Sequence, residues 1–599
     1  MTSKSSFFDL LRENLKRRTW TCALSVLFFL FYFPIGTLLS SDMYLKHSET
    51  MTAADIIRAK RLIYNSFVSM HESSGMIIVF WLCFIAVIMA FTGFAYLQEQ
   101  KKTDFYHSLP ISRPVLYAVN ITNSILTVAV PYFIMAMLSA VIAAAKTGYS
   151  DCFAVAASAF VQCFGFYMLM LMTAILSVML TGTKLVGILG TGIFYFWGPI
   201  VVSLIFALMG SYFRTYYDQY YLSEHVMQFT SPLFWSLDSD ISINVKVIAA
   251  YLLSAALFFI NMMLYMMRPS EAAGHAMVYK YTRGPIKAII VIPSALSCGL
   301  VFHSMMDNSD FWTVFAIVCG CIIVHCIIEI IYSLDFKRLF AHKAGLAGCL
   351  IVSLAVFAFF RFDLSGFDSY LPDASKVISA GIYSNAIEDI YSAEDELTLN
   401  NDGEYCFISI DSTEKKVIDR MEIKDIASMQ SIATEGIEYA AKDLSNVSDF
   451  DGKYMDTIIV GWHLNNGKTI YRQYYMDLKA VSDELNAIMD NDDYRRGTYP
   501  ILAEDESTAD DIQGINYQDA LGFHHMKFDD AEGDELIKRM SELYSTYRSE
   551  LSKLTADDRR HESPVITIQF KDSYIQSMAD TLRKQNGGYY GQLNYTLYY

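Results

Sequence analysis

MIIVFWLCFIAVIMAFTGFAYL, residues 76–97, carries no charged side chain, and its reading decides the fold. An α-helix rises about 1.5 Å per residue and the hydrocarbon core of a bilayer is about 30 Å thick, so about 20 apolar residues cross it. Working outward, eight further runs meet or approach that length, at 20–40, 119–145, 152–180, 185–209, 245–267, 286–305, 311–332 and 344–360, the last being short. The pattern predicts a membrane α-helical bundle of about nine transmembrane helices followed by a soluble mixed α+β domain.

The charge distribution marks the same division. Residues 361–599 hold 45 Asp and Glu against 23 Lys and Arg, a net charge of −22. Residues 1–360 hold 18 against 23, a net of +5. The acidic part repels nucleic acid and anionic lipid headgroups, and it reads as a solvated surface. Of the ten cysteines only Cys406 lies beyond residue 360, so that domain contains no internal disulfide.

Orientation follows from the basic residues of the short loops. With the N-terminus inside, the inner segments hold 16 Lys and Arg and the outer loops 7. Nine spans then place residues 361–599 outside the cell. The first run follows Lys16-Arg17-Arg18, is too long for the apolar core of a signal peptide and lacks a small-x-small cleavage site, so it reads as a retained helix. Ahead of it, Phe7, Phe8, Leu10, Leu11 and Leu15 alternate with polar residues, as in an amphipathic helix over 1–19 in the inner interface.

The loop after residue 97 carries most information. KKTDFYHSLPISRPVLY, residues 101–117, mixes aromatic, apolar and basic residues, unlike a solvated linker. Pro110 and Pro114 are expected to bracket a tight turn between two short helical pieces. Its DFYHSLPISRPVLY segment resembles the one after the second span in bacterial ABC-type export permeases of the type-2 class. MLTGTKLVGILGTGIFYFWGPI, residues 179–200, is similar to the turn joining their fourth and fifth spans, with Thr183 where Asn is usual. The resemblance covers 1–268 and implies a six-span permease core at 20–268, with three additional helices at 269–360. It implies that Asp104, Tyr106, Leu109, Pro110, Ser112 and Arg113 contact a cytoplasmic ABC ATPase. It further implies a working unit with a second permease copy or paralogue, and that the acidic domain resembles a C-terminal addition found in a subset of these permeases.

The chain has no G-x-x-x-x-G-K-[ST] phosphate loop, so ATP would be used by the partner subunit, with no cofactor bound directly. H-E-x-x-H, G-x-S-x-G and Cys-x-x-Cys are absent too, and nothing supports an enzyme. Cys321, His325 and Glu329 share one helix face at i, i+4 and i+8. They read either as a metal or proton site or as interhelical hydrogen bonding, the bland reading being favoured. Gln162 and Asn261 complete the candidate intramembrane polar set; a wide cavity lined by them would favour transport. The aromatic loop 210–244 reads either as an interfacial belt or as an outer gate, and His524-His525 as a surface loop.

In the acidic part Tyr405–Asp411 and Val565–Phe570 read as strands, and Thr457–Leu464 with Lys468–Met476 as a hairpin around Asn465-Asn466-Gly467. Ala480–Met489 and Asp534–Leu554 show helical spacing, and Gly587–Tyr599 shows none. The resulting expectation is a permease subunit in the bacterial plasma membrane. Its rival is a mechanotransmitter that moves its extracytoplasmic domain without passing a substrate.

Overall fold

The structure, a computed structural model, describes residues 3–45, 53–71, 75–108, 111–218, 226–227, 229–237, 243–333, 339, 342–384, 394–399, 405–410, 413–441, 455–498, 502, 512–519, 522–527, 542, 545–546, 548–553, 555, 565–570 and 596–597. Among them, nine helical stretches are long and apolar enough to cross a membrane, at Thr19–Leu45, Ile56–Gln98, Arg113–Thr147, Cys152–Leu180, Lys184–Tyr212, Val245–Met267, Arg283–Met305, Asp310–Ser333 and Lys343–Arg361. Each contains one of the nine runs expected from the sequence. The chain divides into two compact units: residues 1–208 with 219–358, and residues 209–218 with 359–599.

In the first unit the helices are α1 (Ser3–Arg17), α2 (Thr19–Leu45), α3 (Ala53–His71), α4 (Met76–Phe94), α5 (Gln100–Ser108), α6 (Arg113–Thr147), α7 (Cys152–Leu180), α8 (Lys184–Tyr212), α9 (Pro232–Trp235), α10 (Ile243–Met267), α11 (Arg283–Met305), α12 (Asp310–Ser333) and α13 (Lys343–Arg361). The ends of α8 and α13 run on into the second unit. Helix α7 packs against α4, α6 and α10 and is buried along most of its length. By contrast α10 leaves Val245, Ile248, Leu252, Phe259 and Met263 exposed, an apolar face at helical spacing. Helix α2 contains one π-helical turn, Phe31–Ile35, around Pro34, whose missing N–H interrupts the regular ladder.

Two expectations change here. Pro114 does not end a short piece. It sits in the first turn of α6, a helix of 35 residues, because proline's missing N–H is an orphan donor there anyway. The stretch between the first two apolar runs, whose basic residues were counted with the outer loops, contains α3, whose Ala59, Ile63, Phe67 and His71 form a buried stripe at four-residue spacing.

The second unit is built on an antiparallel sheet in the order β1 (Val377–Tyr383), β4 (Met455–Leu464), β5 (Thr469–Asp477). Its two other three-stranded sheets are β2 (Glu394–Leu399) between β3 (Tyr405–Ile410) and β9 (Thr596–Leu597), and β6 (Ile512–Asp519) between β7 (Gly522–Lys527) and β8 (Val565–Phe570). Helices α14 (Thr413–Arg420) and α15 (Ile426–Ala441) cover the first sheet, followed in sequence by α16 (Ser482–Met489) and α17 (Asp492–Thr498). The core centres on Trp462, Ile458, Val460, Met429 and Ile432, all fully buried. The β4–β5 hairpin turns where expected, with Gly467 at φ +76°. His524-His525 falls in strand β7 rather than a surface loop. Most of Asp534–Leu554 and Gly587–Tyr599 lies outside the described residues.

Candidate functional site

The loop singled out by sequence forms a built structure at one end of the bundle. Helix α4 ends in a single 3-10 turn, Ala95–Gln98, and α5 follows at once. Thr103 is buried and its hydroxyl donates to the Tyr96 carbonyl at 2.7 Å, folding α5 back onto that turn. Tyr106 is half-buried and packs on the Tyr96 ring at 4.5 Å, while Asp104 and Phe105 stay exposed. Tyr96 in turn shares a 2.7 Å hydroxyl hydrogen bond with Tyr265 of α10.

Arg268, two per cent exposed, sits at the centre. One guanidinium nitrogen donates to the Val178 and Met179 carbonyls, both at 2.9 Å. The other donates to Leu97 at 3.1 Å and Thr181 at 2.9 Å. Carbonyls at helix C-termini have no intrahelical partner, and one planar five-donor fork satisfies those of α7 together with the end of the 3-10 turn. Burial pushes the Arg268 pKa down to about 10, still far above neutrality, so the group is charged. Arg113, at the start of α6, donates to the carbonyls of Met266 at 3.1 Å and Arg268 at 3.2 Å. Arg113 and Arg268 thus tie both ends of the loop to the ends of α4, α7 and α10.

The turn between α7 and α8 joins the same hub. Gly182 donates its N–H to Ala276 at 3.3 Å and accepts from Gly274 at 2.9 Å, and Val278 donates to Leu180 at 3.0 Å. A Cβ at residue 182 would lie 2.2 Å from two carbonyl oxygens, so only glycine fits this approach. Glu99 bridges Lys102 at 2.7 Å and Lys184 at 3.1 Å, and these hydrogen bonds, Lys102's first, hold its carboxyl below the usual range. Helix α1 is pinned to the bundle as well. Asn14 donates to Asn120 at 2.7 Å and accepts from Asn123 at 3.0 Å, while half-buried Arg18 reaches the Gly93 carbonyl at 2.9 Å and Asn120 at 3.0 Å. Desolvation lowers the Arg18 pKa to about 10.

Of the loop residues named from sequence, Asp104, Tyr106, Ser112 and Arg113 are described, whereas Leu109 and Pro110 lie outside the described residues. Ser112 is exposed at the N-cap of α6 and makes no side-chain cap. Sequence reasoning did not single out Arg268 or Lys287 as site residues. Each is a basic residue at the edge of an apolar run, where it was counted only toward orientation.

The candidate polar residues separate into two places. Asn261 is fully buried; its amide donates to the Met172 carbonyl at 2.9 Å, and its Oδ1 has no hydrogen-bond partner among the described residues. Gln162 is half-buried on α7. On α12, Cys321, His325 and Glu329 are buried, and Lys287 from α11 enters the cluster. Its ammonium lies 3.1 Å from His325 Nε2 and is ion-paired with Glu329, which His342 approaches at 3.3 Å. Among the described residues no group of three His, Cys, Asp or Glu is placed to hold a metal ion. The geometry favours interhelical bonding over a metal centre.

The aromatic loop 210–244 is divided. Ser231 donates to the Tyr195 carbonyl and caps α9, whose Leu233 is buried in the helical core. Residues 213–217 belong to the second unit.

A family model described as a domain of unknown function, DUF6449, matches residues 462–599, from within β4 to the end of the chain. No curated protein and no solved structure matches the chain.

Proposed function

We propose that this chain is the transmembrane subunit of a type-2 ABC exporter, driven by a separate cytoplasmic ATPase and working with a second copy or paralogue. The observation that carries the reading is the Arg268 hub, which bonds the 3-10 turn before α5 and the start of α6 to the ends of α7 and α10. A push on α5 from a neighbouring protein is then delivered to several helices together, as switching between packed states requires. The motif resemblance names the neighbour as an ATPase. The nine apolar helices would lie in the plasma membrane, with α1 and α5 inside and residues 361–599 outside. The exposed apolar faces, such as that of α10, would meet lipid or the second subunit, and nucleic acid is no partner of the acidic domain.

The test uses Phe105, which is 60% exposed and meets the Tyr106 ring edge-on at 5.7 Å. Co-expressed with its ATPase, the chain should give ATP hydrolysis that depends on both partners, and Phe105→Asp should abolish the dependence without changing folding. Hydrolysis by the purified chain alone would overturn the assignment.

A second reading, the mechanotransmitter, is favoured by one observation: Asn261 is fully buried and its amide is bonded to the Met172 carbonyl. Labelling of an Asn261→Cys variant by a water-soluble maleimide during ATP turnover separates the two. Transport predicts labelling and mechanotransmission predicts none.

A further inference from the structure

Residues 213–217 are part of the C-terminal unit although 141 residues separate Tyr217 from residue 359, where the rest of that unit begins. Asp368 receives three hydrogen bonds from them: the Arg214 N–H at 3.1 Å, the Thr215 N–H at 2.9 Å and the Thr215 hydroxyl at 2.9 Å. Asp368 is itself held by a turn in which Asp363, at φ +40°, accepts from the Phe367 and Asp368 N–H groups at 2.7 and 2.8 Å. On the other side, Gln473 of edge strand β5 donates to the Thr215 carbonyl at 3.1 Å. The Arg214 guanidinium reaches the Ala440 carbonyl at 2.6 Å and Tyr217 donates to Glu414 at 3.2 Å. Phe213 stacks on Phe367 at 4.7 Å, and the Arg472 guanidinium lies over the same Phe367 ring at 3.8 Å. Thr215 is one per cent exposed.

A surface connector has no need of this. Loops ordinarily run over the outside with their backbone groups solvated. Here the main chain of residues 214 and 215 is bonded on both sides, and the segment continues directly from α8.

We propose that residues 213–217 are a strap that fixes the C-terminal unit to the end of α8, independently of its covalent link through α13. The unit is thereby built from two separate chain segments, 209–218 and 359–599. This assignment stands whichever of the two functional readings holds, since it invokes neither an ATPase nor a substrate.

The test uses the full chain carrying an N-terminal affinity tag, with a protease site inserted between Arg361 and Phe362. After cleavage on the resin, the C-terminal fragment should stay bound. In an Arg214→Ala/Tyr217→Ala/Asp368→Ala/Gln473→Pro variant it should elute. Elution of the unsubstituted fragment, or retention of both, overturns the strap. A second measurement guards against misfolding of the multiple variant. In Asp368→Ala, hydrogen exchange at Arg214, Thr215 and Gln473 should quicken by at least about tenfold, while Ile458 to Trp462 keep their protection. Fast exchange at those three amides in the unsubstituted chain also overturns it.

Discussion

Arg113 donates a hydrogen bond to the main-chain carbonyl of Arg268, and the Arg268 side chain donates to four further carbonyls. Two arginines far apart in sequence therefore form one relay, from the loop to helix ends. Replacing Arg268 by Met removes a forked donor and strands several buried acceptors. The expected loss is on the order of 3 kcal/mol, read from denaturant unfolding in detergent. Arg268→Lys should recover less than half, because a single ammonium cannot span carbonyls from two helix ends. Full recovery by Lys would show that charge alone matters.

The Glu99 carboxylate gives a pH test. Its pKa is lowered in the folded chain by Lys102 and then Lys184. Its bridging is therefore complete above the ordinary glutamate range near pH 4.5 and fades as pH falls through the lower folded value. Carbon-detected NMR of the Glu99 side chain should titrate below its value in the unfolded chain. Lys184→Ala should raise that midpoint, and an unmoved midpoint would remove the α8 link from the hub.

Lys287→Met should be costly. It leaves Glu329 buried without its ammonium, and breaking a buried pair costs about 3–5 kcal/mol. Lys287→Met/Glu329→Leu should restore most of that, because no uncompensated charge remains. Additive losses in the double variant would mean that the pair does not interact as described.

Gly381 of β1 faces α14 so closely that a Cβ would lie 2.1 Å from the Ile418 carbonyl oxygen. Gly381→Ala should destabilise the C-terminal unit by more than about 2 kcal/mol, the scale of a severe overpacking change. Limited proteolysis should then cut β1, β4 and β5 while sparing the apolar helices. Cleavage spread equally over both units would contradict their separation.

The apolar helices were legible because each has a long run free of charge, a signal that survives any neighbour. The β4–β5 hairpin was legible because Asn465-Asn466-Gly467 supplies a turn between alternating strands. Helix α3 escaped because Arg58, Lys60 and Arg61 mask a stripe of only one residue in four. Half of the hub was readable, Arg113 and Tyr106 through their motif. Arg268 was not, since a basic residue after an apolar run looks the same whether it faces water or carbonyls. The Lys287–Glu329 pair was half seen for a related reason: spacing reveals neighbours on one helix, never the partner across from it. Asp368 and Thr215 share no local pattern at all, and only folding brings them together.

The π-helical turn of α2 governs how that helix is counted. Among its buried residues, Thr21, Ser25, Phe29, Phe33, Thr37 and Ser41 are fully buried and recur at an interval of four. In an unbroken α-helix each such step overshoots a full revolution by about 40°, so the stripe would spiral away from its neighbours. The wider turn at Phe31–Ile35 takes back part of that drift, and beyond it the Thr37 hydroxyl still meets Ser139 at 2.7 Å. Chain length is consequently not interchangeable along this helix: deleting one residue from the regular turns before Phe31 would rotate the far half by about 100° and aim Thr37 away from α6, whereas a deletion within 31–35 would be absorbed as the wide turn closes to regular geometry.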